Sequence, residues 1–328
     1  MQRLTLALPG NEDLARGIAQ ACGSEAGRIE TRRFPDGESY VRLHGEPAGQ
    51  IVDLICTLTH PDPQFLLLVF AADAARELGA REVNLVAPYL AYMRQDKRFH
   101  DGESVTSRSF ARMVSSTFDK LLTVDPHLHR YPTLSAVYTI PTITLHAAPL
   151  LADWIANHVE EPLIVGPDEE SEQWAGAIAS RIGVPHAVLR KTRHGDRSVD
   201  IDVPDLSIWR GRTPVLVDDI ASSGRTLAVA ARKLAEQGMR KPECVVVHAL
   251  FAEDAWAQLT PLFARITSTD AVPHPSNRIG LASLIADALS SGKTDPRGRS
   301  FYRSNYFQGD LKSPLKLTSQ TIGVLVTG

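Results

Sequence analysis

The chain has 328 residues and a formal net charge of −3, with 43% hydrophobic and 22% charged residues. This composition predicts about two globular domains and gives no general attraction to a nucleic-acid backbone, which excludes a nucleic-acid partner. No apolar run reaches the roughly 18–20 residues that a membrane span needs, and three separated cysteines form no disulfide framework, so we expect a cytoplasmic protein without a membrane partner.

Short apolar runs alternate with longer amphipathic segments, a pattern typical of α/β proteins built on parallel strands. The predicted strands are Leu4–Leu8, Ile51–Thr57, Glu82–Ala87, Lys120–Val124, Thr142–Leu145, Leu163–Val165, His186–Leu189, Val215–Val217, Cys244–Leu250 and Arg265–Ser268. The predicted helices are Pro63–Gly79, Ser107–Thr117, Ala147–His158, Glu170–Ile182 and Thr226–Gly238. Gly79, Gly183 and Gly238 stand where a left-handed residue often ends a helix.

Two segments of the first half are similar to segments of the second half, in the same order. Glu82–Pro88 is similar to Pro162–Pro167, and Leu121–Asp125 to Val215–Asp218. Apolar strands also match by chance, so this similarity alone does not establish a duplication. We predict one domain over residues 1–145, a second over 146–290, and a turn-rich, charged tail over 291–328.

The most informative stretch follows the predicted strand Val215–Val217. Two carboxylates, Asp218 and Asp219, precede a turn of small residues and then a helix. Small residues and a helix N-terminus favour a phosphate group, whereas the carboxylates suit a ribose diol or a magnesium ion reached through water. The alternative is an ordinary capped helix with two exposed aspartates. The predicted binding residues are Asp218, Asp219, Ser222, Ser223, Gly224, Arg225 and Thr226.

This stretch resembles the phosphoribosyl pyrophosphate loop of type I phosphoribosyltransferases and of the ribose-phosphate pyrophosphokinases. Two segments in the first half favour the pyrophosphokinases: Pro88–Arg98 resembles their ATP-site sequence, and Phe34–Glu38 resembles a segment that serves the adenine site of a neighbouring subunit. The resemblance implies two tandem type I phosphoribosyltransferase-like α/β domains, each with a mainly parallel sheet flanked by helices. The implied ATP-binding residues are Phe34, Asp36, Glu38, Arg94, Gln95 and Asp96. The alternatives are a surface ion pair for Arg94 and a core aromatic for Phe34.

Two strand ends match the family's magnesium and phosphate positions. In Asp125-Pro126-His127 the resemblance implies a histidine beside the ATP phosphates and their Mg²⁺, whereas His129 has no family counterpart and is expected at the surface or in packing. The Pro-Asp pair ending in Asp168 resembles a second magnesium position. The acidic residues that follow, Glu169-Glu-Ser-Glu172, depart from the family's small residues. Arg225 also departs from the family, and its interpretation as a phosphate contact or a solvent-exposed residue stays open.

The last motif is Leu189–Arg193, a polar segment between a predicted strand and the paired aspartates. It resembles the family's flexible catalytic loop, which implies that Lys191 and Arg193 stabilise the transferring phosphates. The implied catalytic residues are therefore Lys191, Arg193 and His127.

The resemblance covers about residues 3–290 and implies transfer of pyrophosphate from MgATP to ribose 5-phosphate, with Mg²⁺ held by His127 and Asp168. ATP and ribose 5-phosphate are the expected partners, and a shared ATP site implies at least a dimer. The alternatives are a phosphoribosyltransferase that needs no ATP and a catalytically silent homologue that regulates pyrophosphokinases.

Overall fold

The computed structural model describes residues 2–194 and 198–291, which form two mainly parallel sheets flanked by helices. The first half contains β1 (Arg3–Ala7), α1 (Glu12–Cys22), β2 (Glu25–Arg33), β3 (Ser39–His44), β4 (Ile51–Ile55), α2 (Pro61–Glu77), β5 (Glu82–Ala87), α3 (Thr106–Thr117), β6 (Lys120–Val124) and β7 (Thr142–Leu145). Its sheet has the order β3-β2-β1-β4-β5-β6-β7, and all pairs are parallel except β2 with β3.

The second half contains α4 (Ala148–His158), β8 (Pro162–Gly166), α5 (Glu172–Ile182), β9 (His186–Val188), β10 (Arg190–His194), β11 (Ser198–Asp202), β12 (Thr213–Ala221), α6 (Arg225–Glu236), β13 (Glu243–Ala249), α7 (Ala255–Leu259), β14 (Arg265–Thr269), β15 (Asn277–Ile279) and α8 (Ala282–Ser291). Its six-stranded sheet has the order β15-β14-β13-β12-β8-β9 and is parallel throughout. The α/β fold class is confirmed.

The predicted strands and helices are all present, with ends that differ by a few residues at most positions. β12 is the largest extension, because it continues through both aspartates to Ala221. The glycines predicted to end helices have positive φ angles of 88°, 70° and 71° at Gly79, Gly183 and Gly238. These elements were predictable because their signals are local apolar runs and helix ends.

The elements that were not predicted are polar, short or close to a glycine. β2 and β3 form an antiparallel pair at the sheet edge, where charged side chains face water and no apolar run marks the strand. α1 contains Gly17, which disfavours a helix locally. Here the glycine is needed, because a Cβ atom at Gly17 would lie 2.9 Å from the Cβ of Ala282 in α8.

The two halves share a hydrophobic core. One buried cluster contains Ile18 and Leu145 of the first half together with Val245 and Leu281 of the second, and α8 packs along α1. The Thr57 hydroxyl also donates to the backbone oxygen of Ala271. The predicted division at residues 145 and 146 stays a prediction, and the predicted tail beyond residue 291 lies outside the described residues.

No helix in the described part of the chain is both long enough and apolar enough to cross a membrane.

Candidate active site

A cleft of about 820 Å³ lies where the two halves meet, at the carboxyl ends of β6, β8 and β12. Ligands of parallel α/β sheets bind outside these strand ends, because loops and helix N-termini converge there. The cleft is lined by Arg94, His127, Leu128, His129, Asp168, Ser171, Trp174 and the segment from Asp218 to Leu227. It therefore combines residues predicted for ATP and magnesium with the whole predicted ribose 5-phosphate loop.

The loop between β12 and α6 ends in a backbone conformation that favours glycine. Gly224 has a φ of 67°, and an added Cβ atom would lie 2.5 Å from Cδ1 of the buried Leu259. The backbone before it is held by the chain that follows β13, since Ala252 N–H donates to the Ser222 oxygen at 3.1 Å. α6 then starts at Arg225, so a helix N-terminus opens toward the cleft, where its dipole and N–H donors favour an anion.

The pKa values of the paired aspartates are shifted in opposite directions. Burial, followed by the neighbouring carboxylates of Asp219 and Asp168, raises the pKa of Asp218 well above its ordinary value. Burial also opposes the ionisation of Asp219, but a hydrogen bond and the charge interaction with His127 outweigh it and lower the Asp219 pKa. Asp219 is therefore the ionised member of the pair.

His127 connects the two halves of the cleft. Its Nδ1 lies 3.4 Å from Oδ2 of Asp219, although the two residues belong to different halves of the chain. Asp168 also lines the cleft, and its Oδ1 accepts a hydrogen bond from the Ser171 N–H at 3.3 Å. Of the acidic residues that follow Asp168, Glu169 and Glu172 are exposed and lie outside the lining of the cleft.

The three residues of the Arg-Gln-Asp segment separate in space. Arg94 reaches the cleft, where its Nη1 lies 3.5 Å from the Ser222 hydroxyl of the opposite half. Gln95 Oε1 accepts a hydrogen bond from Thr106 at the start of α3. Asp96 is buried, and its Oδ1 accepts a 2.7 Å hydrogen bond from Arg130. Neither Gln95 nor Asp96 lines the cleft, and their predicted contacts with ATP stay predictions.

The Phe34–Glu38 turn joins β2 to β3 at the far edge of the first sheet. Five strand spacings of about 4.8 Å put β3 roughly 24 Å from β6, so this turn lies far from the cleft of its own chain. Phe34 is exposed, and the Arg32 guanidinium lies 4.4 Å from its ring centroid. Asp36 accepts a hydrogen bond from the Glu38 N–H at 3.1 Å, which stabilises the turn. A role in a neighbouring subunit stays a prediction.

The predicted catalytic loop begins as a strand and not as an irregular segment. The backbones of Lys191 and Arg193 in β10 pair with Ile201 and Val199 of β11, which makes a two-stranded antiparallel ribbon outside the main sheet. Residues 195–197 lie outside the described part of the chain. The polar composition hid the strand, because Arg190–His194 contains no apolar run.

Sequence reasoning missed several residues of the cleft. His129, expected at the surface or in packing, is exposed but lines the cleft, with its ring stacked 6.0 Å from that of His127. Ser171 and Trp174 also line it. Their spacing of three and six residues from Asp168 was the available signal, because residues three apart share a face of a helical segment.

Comparison with known proteins finds a family model for each half of the chain. The model of the N-terminal domain of ribose phosphate pyrophosphokinase matches residues 4–117, and the phosphoribosyl transferase domain model matches residues 133–256. The crystal structure of phosphoribosylpyrophosphate synthetase from Mycobacterium smegmatis has the same fold, with a TM-score of 0.76 at 24% identity over 89% of this chain and 98% of that one.

Ribose-phosphate pyrophosphokinases of archaea are similar over most of their length. That of Methanopyrus kandleri is 36% identical over 88% of this chain and 99% of its own. That of Methanosarcina mazei is 35% identical over 86% and 93%, and that of Thermoplasma acidophilum 31% identical over 87% and 98%. With both halves matched and relatives of this identity aligned almost end to end, the chain belongs to the ribose-phosphate pyrophosphokinase family.

Proposed function

We propose that this protein transfers pyrophosphate from MgATP to ribose 5-phosphate and releases AMP. The observation that carries the proposal is that one cleft joins the two motif sets, through the contact of His127 with Asp219 and that of Arg94 with Ser222. A phosphoribosyltransferase needs the paired-aspartate loop but does not need the ATP-site motifs of the first half of the chain. The names of the aligned relatives support the same activity.

In the proposed reaction the anomeric hydroxyl oxygen of ribose 5-phosphate bonds to the β-phosphorus of ATP. The bond from that phosphorus to the oxygen bridging it to the α-phosphorus breaks, AMP leaves with this oxygen, and the hydroxyl proton passes to solvent. Such a transfer depends on positioning and charge stabilisation and not on a covalent intermediate. The products are AMP and 5-phosphoribosyl 1-pyrophosphate.

The residues of the C-terminal half would bind the sugar phosphate. Asp219 is suited to accept hydrogen bonds from the ribose hydroxyls, since its lowered pKa keeps it ionised. The turn from Ser222 to Thr226 and the α6 N-terminus would hold the 5-phosphate, and the exposed Arg225 would add a guanidinium at the same edge. This arrangement places acceptors at the hydroxyls and donors at the phosphate.

The residues that face the nucleotide would supply positive charge. Arg94 is suited to clamp phosphate oxygens, and we propose that Lys191 and Arg193 stabilise charge that develops during transfer. The Phe34–Glu38 turn would complete the ATP site of a neighbouring copy, so we propose a homo-oligomer of at least two chains. The cysteines are all free thiols, which supports a reducing, cytoplasmic location.

Magnesium fits the donor set of the cleft when the substrate supplies part of its coordination. No group of three or more His, Cys, Asp or Glu side chains within residues 2–194 and 198–291 is arranged to hold a metal. Mg²⁺ commonly binds one or two carboxylates together with water and phosphate oxygens. Asp168 would hold the ion, with His127 reaching it through water, and the bound ion would neutralise phosphate charge. The raised pKa of Asp218 reflects burial and carboxylate repulsion, and a cation relieves the repulsion.

The test is AMP formation from MgATP with and without ribose 5-phosphate, followed by chromatography of both products. We expect AMP only when both substrates are present. Asp219→Asn should weaken apparent affinity for ribose 5-phosphate much more than for ATP, because it removes the acceptor charge. Asp287→Asn, an equal charge loss at an exposed position on α8, is the matched control and should behave as wild type.

Two results would reject the proposal. Formation of a nucleotide and pyrophosphate from 5-phosphoribosyl 1-pyrophosphate and a base, with no ATP-dependent reaction, would indicate a phosphoribosyltransferase. No reaction in either assay from a folded protein would indicate a silent homologue.

A further inference from the structure

A buried histidine joins the strand ends that carry the two halves of the cleft. His248 in β13 is 1% exposed, and its Nε2 lies 3.1 Å from the backbone oxygen of Val124 and 3.3 Å from that of Asp125. Carbonyl oxygens only accept hydrogen bonds, so Nε2 carries the proton that it donates. Burial lowers the pKa of His248 and favours this neutral form.

The other ring nitrogen makes the site unusual. Nδ1 of His248 is buried and has no hydrogen-bond partner among the residues that the structure describes. A buried polar atom without a partner is destabilising, so an apolar residue of similar size would suit pure packing at least as well. The ring packs edge-on against Tyr89 of the first half, at a centroid distance of 5.2 Å. Packing alone therefore does not explain a histidine at this position.

Its position links the cleft residues of both sheets. In the pairing of β12 with β13, His248 lies opposite Ile220, the residue directly after Asp219. Its hydrogen-bond acceptors stand at the end of β6, shortly before His127. A single ring thus connects the strand end before His127 with β13, the strand that pairs with the one carrying Asp219.

The acceptor residue is itself held in an uncommon conformation. Asp125 has a φ of 36°, in a region that residues other than glycine seldom adopt. Its carboxylate accepts a 2.8 Å hydrogen bond from the Ala147 N–H and lies 2.8 Å from Nδ1 of His146. Such a backbone persists only where surrounding contacts enforce it, and it often marks a site that needs one exact geometry.

We propose that His248 is a positioning residue, which through the carbonyl groups of Val124 and Asp125 holds His127 against Asp219. It touches no substrate in this scheme. Its effect on turnover rests on the proposed function, whereas its effect on the geometry of the cleft does not.

Three substitutions separate positioning from packing. In His248→Gln the amide nitrogen lies as many bonds from Cβ as Nε2 does, so it can donate to the same carbonyl groups. In His248→Asn it lies one bond closer and falls short, and His248→Leu has no donor. We expect kcat to stay close to wild type for Gln and to fall about 10–100-fold for Asn and Leu, because a misplacement near 1 Å costs about that much. The KM values of both substrates should change little.

A second readout does not depend on activity. Crystal structures of the ligand-free variants should retain the 3.4 Å separation of His127 Nδ1 and Asp219 Oδ2 in Gln and lengthen it in Asn and Leu. If wild type forms no AMP, the proposed function fails and this separation alone decides the inference.

Several outcomes would overturn the inference. A folded Leu variant with wild-type kcat and an unchanged separation would assign His248 to packing. If Leu does not fold, Gln and Asn variants with equal activity would likewise assign His248 to packing. A loss of kcat that Gln does not rescue, with no change in separation, would also contradict positioning.

Discussion

Replacement of Gly224 by alanine tests whether the phosphate loop is specified by backbone conformation and packing together. A left-handed φ costs a non-glycine residue roughly 1–2 kcal/mol. The new Cβ atom would also lie 2.5 Å from Leu259 Cδ1, and overpacking of a buried site typically costs about 1–3 kcal/mol. The expected loss of stability is therefore about 2–5 kcal/mol.

Gly183→Ala is the matched control, because Gly183 has a similar φ of 70° but no atom within 4 Å of an added Cβ. It should lose only the conformational part, about 1–2 kcal/mol. Each kcal/mol shifts the melting temperature by roughly 2–4 °C in a domain of 150–250 residues, so calorimetry resolves the difference. Gly224→Ala should also raise the KM for ribose 5-phosphate more than that for ATP.

Equal melting temperatures for the two alanine variants would refute the packing argument at Leu259. An unchanged KM for ribose 5-phosphate in Gly224→Ala would instead refute the phosphate assignment of the loop, even if stability falls as expected.

Three further predictions address the transferring phosphates, the shared site and pH. Alanine at Lys191 or Arg193 should lower kcat about 100–1000-fold in turnover assays, while nucleotide titration should show a nearly unchanged ATP affinity. Near-normal turnover of the double alanine variant would show that the β10–β11 ribbon has no part in the mechanism. At a ribose 5-phosphate concentration well below the raised KM of Asp219→Asn, mixing this variant with Phe34→Ala should restore activity that neither shows alone if ATP sites are shared, and a fully active monomer by light scattering would contradict sharing. The hydrogen bond to the buried Asp125 carboxylate raises the pKa of His146 above its ordinary value of 6.5. The stabilisation of the folded protein by this pair is therefore complete below pH 6.5 and is lost as the pH rises through the raised pKa. Thermal melts of wild type and His146→Gln should therefore converge above this window, and a gap that is constant with pH would contradict the linkage.

The strands and helices that were correctly predicted share a physical property. β4, β5 and β6 are buried on both faces, so each is a short apolar run whose identity depends little on its neighbours. β2 was not predicted because it lies near the sheet edge and exposes several charged residues, so it contains no apolar run. α1 was not predicted because the reason for Gly17 lies in a helix that begins 265 residues later, at Ala282.

The sequence by itself determined the fold class, the order of the motifs and the family, because each depends on local patterns: apolar runs, strand-end carboxylates and turns of small residues. Only the tertiary structure decided which of those residues meet. His127 and Asp219 are 92 positions apart, Arg94 and Ser222 are 128 apart, and His248 contacts Val124 across 124 positions. Such contacts depend on how two sheets pack through a common core, and no local pattern encodes that geometry. Within the first half, the tertiary structure likewise pairs Asp96 with Arg130, and the strand order leaves the Phe34–Glu38 turn at the far edge of its sheet.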